Sequence, residues 1–98
     1  MLNLLIEGVK SRRIQTWIYL ESGYFTHEPM QWRNLAFLQP STLGNNLCIN
    51  IVKPQNSLVS AETYAVYHGR FIEMLVAHFP KEFTNATASA RPSWTDLV

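Results

Sequence analysis

Three histidines and a single cysteine are the side chains with the widest chemical range in this sequence. An imidazole moves protons near neutral pH and ligates metals, and a thiolate attacks electrophiles. Both uses need partners. His27 is followed directly by Glu28, on a segment marked by Gly23 and Pro29. Such a pair beside a pocket supplies an acid and a base. His68 and His78 fall in one stretch of helical periodicity, roughly 15 Å apart along the axis, so they cannot share a metal within one chain. His68 lies on the apolar stripe of that stretch, which points to a neutral imidazole bonded to a neighbour. A small-ligand site or an enzyme built around His27, Glu28 and His68 is therefore one reading of the chain. It comes with no assigned catalytic residue, metal or cofactor.

Lys10, Arg12 and Arg13 form the second group, close in sequence to Trp17 and Tyr19. Arginines beside exposed aromatic rings can hold phosphates while bases stack, which makes a single-stranded nucleic-acid surface conceivable. The whole chain has a formal charge of +1, so bulk charge attracts neither a polyanion nor an anionic membrane. Cys48 alternates with Leu47, Ile49 and Ile51 and has no basic neighbour in sequence, which reads as a packing residue. The serines show no nucleophile-elbow pattern, and Gly8, Gly23, Gly44 and Gly69 build no phosphate-cradling loop. Asn85-Ala86-Thr87 matches a glycosylation acceptor, and Asp96-Leu97-Val98 has the shape that strand-addition grooves capture; neither carries an argument alone.

The elements that must position these residues follow from periodicity. Leu2, Leu4 and Ile6 alternate with Asn3, Leu5 and Glu7, which predicts a strand. Gly8 to Ser11 reads as a reversal, and from Arg12 the alternation resumes. Ile14, Thr16, Ile18 and Leu20 then share one face, with Arg13, Gln15, Trp17 and Tyr19 on the other. Residues 21–30 are irregular. Residues 31–38 fit a strand or a helix and are assigned to a strand, because Pro29 disfavours helical geometry at Glu28. Residues 40–46 read as a loop, residues 47–52 as a strand ending before Pro54.

From Ser60 to Phe79 the positions Ala61, Tyr64, Ala65, His68, Phe71, Ile72, Leu75, Val76 and Phe79 recur every three or four residues. That spacing predicts one long helix over about 60–79, with Ser60 as its N-cap and Glu62 favourable to the helix dipole. The order gives an α+β fold: a small antiparallel sheet of three to four strands, an N-terminal meander, with the long helix on one face. Residues 1–83 form the single domain, and 84–98 a short edge strand or tail.

A helix covering one sheet face should be polar on its far side. Here Thr63, Tyr67, Met74 and His78 form a second stripe beside Arg70. Charged residues make up only 15% of the chain, which leaves little to solvate that side. Those residues are the expected interaction surface of a non-enzymatic module that forms a homodimer or docks a protein partner. No apolar run reaches the roughly 20 residues of a membrane span, and the start lacks the features of a signal peptide. With one cysteine, a cytoplasmic setting is expected.

Overall fold

The computed structural model describes residues 1–54 and 57–89. The chain is α+β: helix α1 (Leu2–Lys10), strands β1 (Trp17–Tyr19), β2 (Phe25–His27), β3 (Phe37–Leu43) and β4 (Asn46–Val52), then helix α2 (Ala61–His78). The strands form one antiparallel sheet in the order β1-β2-β3-β4. The expected meander and long helix are both present. Among the described residues no helix is long and apolar enough to cross a membrane.

The first element differs from expectation. Residues 2–6 belong to a helix, because Leu2, Leu5, Ile6 and Val9 share a helical face as well as Leu2, Leu4 and Ile6 share a strand face. Leu5 and Val9 are buried while Leu4 is exposed, so the helical period wins. Gly8 is not a reversal but a close approach. A Cβ there would meet Ile14 Cδ1 at 3.0 Å and Phe79 Cζ at 3.5 Å. The reversal comes later, at Arg12, whose φ of 67° places it in the left-handed region.

The two faces expected for the next segment do not stay separate. Ile14 and Trp17 point into the core, three residues apart, and regular pairing covers only Trp17↔His27 through Tyr19↔Phe25. Residues 29–35 form a turn and not a strand: the amides of Trp32 and Arg33 donate to the Pro29 carbonyl at 2.8 and 2.9 Å. Asn34, at φ 61°, turns the chain out of it. The loop expected over 40–46 is mostly strand, since β3 continues to Leu43 and only Gly44 and Asn45 make the turn. Pro40 is tolerated because β2 meets β3 at Phe25↔Leu38, two residues earlier.

α2 begins as expected. The Ser60 hydroxyl accepts from the Thr63 amide at 3.1 Å. The core joins Leu5, Val9 and Ile14 to the sheet residues Trp17, Phe25, Leu38 and Ile51, and to Tyr64, Tyr67, Phe71, Met74 and Leu75 of α2. Residues 84–89 contain no strand or helix, and the rest of the expected tail, including Asp96-Leu97-Val98, lies outside the described residues.

Candidate functional site

α2 meets the sheet at an angle the apolar stripe alone did not indicate. Tyr64, Phe71 and Leu75 of that stripe are buried, but the core also takes Thr63, Tyr67 and Met74 from the second stripe. The buried face is thus rotated by roughly a quarter turn from the main stripe. His68 and Ile72, left half-buried by this rotation, line a cavity of about 660 Å³. Its opposite wall comes from β4, where Leu47 and Ile49 lie on the same sheet face as Ile51 because they pair with Thr42, Pro40 and Leu38. The chain from Glu82 to Thr87 closes the outer side, and Asn45 stands at the hairpin end. Phe83 packs against the core at one end of that strap; at the other, Ser89 Oγ and Tyr64 Oη are 2.9 Å apart.

Across the helix, the sheet and α2 are sealed together around Trp17. Its ring stacks on His27 with centroids 4.5 Å apart and meets Tyr67 and Phe71 edge-on at 5.6 and 5.1 Å. A buried polar cluster sits beside it. Tyr67 Oη donates to the Trp32 carbonyl. Thr26 Oγ1 accepts from the Asn34 amide at 3.0 Å and has one proton for two acceptors, the Ala36 carbonyl at 3.1 Å and Tyr67 Oη at 3.0 Å. These bonds anchor the 29–36 turn to α2.

The expected site residues fall in different places. Thr63, Tyr67 and Met74 are buried in the chain's own core, so the partner surface expected from them is turned inward. Arg70 and His78 of that surface remain exposed. Trp17 has no exposed surface, which removes it as a stacking platform for bases, and Tyr19 is half-buried against Phe25. Of the basic group, Arg12 pairs with Glu28 at 3.4 Å and Arg13 with Glu7 at 3.9 Å, while Lys10 is exposed. The arrangement the nucleic-acid reading needs is therefore not assembled.

The histidines do not converge. His27 is buried, and its Nδ1–H donates to the Thr16 carbonyl at 2.8 Å. Burial pushes its pKa below the ordinary 6.5; the bond to Thr16 works against that, Arg70 adds to it, and Glu28 and Glu73 oppose it. Glu28 turns away, toward Arg12 and Arg33. His68 meets Tyr64 edge-on, ring centroids 4.4 Å apart, on the cavity side. Among the described residues no three or more of His, Cys, Asp and Glu gather into a metal site. Cys48 is a free thiol on the sheet face opposite Leu47 and Ile49, as its alternation indicated.

The cavity walls therefore come from residues to which the sequence analysis gave no site role: Ile72 of the apolar stripe, Leu47 and Ile49 of the 47–52 strand, and Phe83. One signal pointed to them. The stripe of α2 spans nine positions, wider than one sheet-packed face requires. In comparisons with models of known families, with curated proteins and with solved structures, nothing matches this chain.

Proposed function

We propose that the protein binds a small molecule with both apolar and polar surface in the cavity between α2 and the β3–β4 hairpin, without acting on it chemically. The observation that carries this reading is the cavity itself. Its volume of about 660 Å³ lies within the roughly 300–1,000 Å³ of ligand pockets, and its lining is polar and apolar in nearly equal share. The space between helix and sheet is partly open to solvent, which gives a small molecule a way in. Binding without catalysis fits the separation of His27 and Glu28 from His68 described above.

The experiment is titration with N-phenyl-1-naphthylamine, an uncharged dye that brightens in apolar surroundings. Saturable enhancement is expected for the wild type. Ile72→Trp, at a half-buried position on the cavity wall, should remove it while leaving the circular dichroism spectrum intact. A wild type that gives no saturable signal rejects the reading.

A second reading, homodimer formation or capture of a protein partner through α2, keeps one supporting observation. Val76 on the outward side of the helix is 54% exposed, and Ala61 and Ala65 are exposed toward its other end. Molar mass by light scattering tests it, with Val76→Glu as the variant expected to dissociate any dimer. The free Cys48 supports a reducing compartment such as the cytoplasm for either reading.

A further inference from the structure

We infer that the strap from Glu82 to Ser89 is a gate, latched by the Tyr64 and Ser89 hydroxyls. Its release widens the mouth of the cavity and sets how fast a small molecule enters and leaves. The inference rests on the binding reading above and concerns how that site is reached. The walls of the cavity differ in what their movement would break. β4 is paired to β3 from Asn46 to Val52, and α2 is held to the sheet by its buried Tyr67, Phe71 and Leu75. Displacing either one breaks ladder hydrogen bonds or exposes the core.

The strap has no such ties along its length. Residues 84–88 are exposed, belong to no helix or strand, and make no hydrogen bond or ion pair with the other described residues. At the start of the strap the half-buried Phe83 packs against the core, and the Glu82 amide donates to the Phe79 carbonyl at 3.1 Å. At its end Ser89 is exposed and meets Tyr64 through the 2.9 Å hydroxyl pair. A segment with few buried contacts and no backbone bonds is the first to open. The Phe83 ring anchors one end, so the strap parts from α2 at Ser89. Neither Tyr64 nor Ser89 lines the cavity, so their bond acts on a bound molecule through the strap. The same bond closes the strap over an empty and a filled cavity. Breaking it raises the open fraction in both states, so entry and exit quicken together and the affinity hardly moves.

Stopped-flow binding of N-phenyl-1-naphthylamine to the full chain tests this. Ser89→Ala removes one side of the latch at an exposed position. It should raise the association and dissociation rates by about threefold to tenfold, the range set by one neutral hydrogen bond, with Kd within about twofold of the wild type. Ser89→Thr, which keeps a hydroxyl, should restore the slow exchange. Tyr64→Phe should act in the same direction as Ser89→Ala, and the double variant should be no faster than the faster single one. Unchanged rates in Ser89→Ala and Tyr64→Phe would mean that the standing opening suffices, which overturns the inference and leaves the binding reading intact. A weaker Kd with an unchanged association rate overturns it too, because the bond then shapes the site and not the way in. Dye that does not bind the wild type at all removes the binding reading, and the inference falls with it.

Discussion

On one side of α2 the helix and sheet close completely; on the other they stand apart. The closed side is built from rings. Trp17, Phe25 and His27 meet Tyr67 and Phe71 with centroids 5.1 to 6.0 Å apart. The open side opposes Leu47 and Ile49 with Ile72 and His68, and about 660 Å³ remains between them. The aliphatic side chains of β4 do not span the gap that the aromatic ones of β1 and β2 fill. One helix thus serves a rigid half that specifies the fold and an open half with room for a ligand.

The largest way to break this comparison is at Trp17. Trp17→Ala should cost about 3–5 kcal/mol, because it empties the centre of the closed side. Ile72→Ala, beside space that already exists, should cost less than about 1 kcal/mol. Urea unfolding of both variants reads the difference. Equal losses would mean that the two sides are packed alike and that the cavity is not a standing feature of the protein.

The polar cluster on the closed side gives the next effect. Tyr67→Phe removes the donor to the half-buried Trp32 carbonyl and a partner of the buried Thr26 hydroxyl. A loss of about 1–2 kcal/mol is expected. Hydrogen exchange should localise it, with the Asn34 and Ala36 region opening first, since Tyr67 ties that turn to α2. A loss spread evenly over the sheet would show that the cluster is not the tie.

How far these features could be read in advance depends on how many periods each segment satisfies. β4 was legible because Leu47, Ile49 and Ile51 alternate and no helical spacing competes with them. α2 was legible as an element, from Ser60 to the stop at Pro80. Its orientation was not. Tyr64, Phe71 and Leu75 suit either of two adjacent faces, and the choice fell to Tyr67, whose hydroxyl finds buried partners in a turn far away in sequence. The first nine residues failed for a related reason. They are apolar enough to satisfy both periods, and Gly8 looks like a turn until Ile14 and Phe79 are seen against it. The cavity was illegible because it is the remainder of a packing problem involving α2, β4 and the strap together.

His27 sharpens the comparison through pH. Its folded-state pKa lies below the ordinary 6.5, chiefly through burial. As pH falls below about 6.5, the unfolded chain takes up a proton that the folded chain resists. Stability should therefore decline from about pH 6.5 down to the lowered folded value, with no contribution from this group above pH 6.5. The charged groups around it are Arg70, which favours the neutral ring, and Glu28 and Glu73, which favour the cation. His27→Gln, which retains a donor for the Thr16 carbonyl, should flatten the fall in urea midpoint over that window. An unchanged slope would place the titration elsewhere and mean that the closed side admits water at His27.

The smallest expected effect has the opposite sign and lies on the solvent side of α2. Gly69 sits inside the helix, and a Cβ built there meets nothing within 4 Å. Glycine inside a helix costs about 1 kcal/mol relative to alanine, largely through the freedom it gives the unfolded chain. With no neighbour to obstruct it, Gly69→Ala should raise stability by about 0.5–1 kcal/mol and leave dye binding unchanged. Gly8→Ala is the contrasting substitution. The same helical gain is opposed there by the 3.0 Å approach to Ile14, a fully enclosed side chain with little room to yield. If Gly69→Ala instead destabilises the protein or shifts its molar mass, something covers that face, and the outward side of α2 becomes an interface.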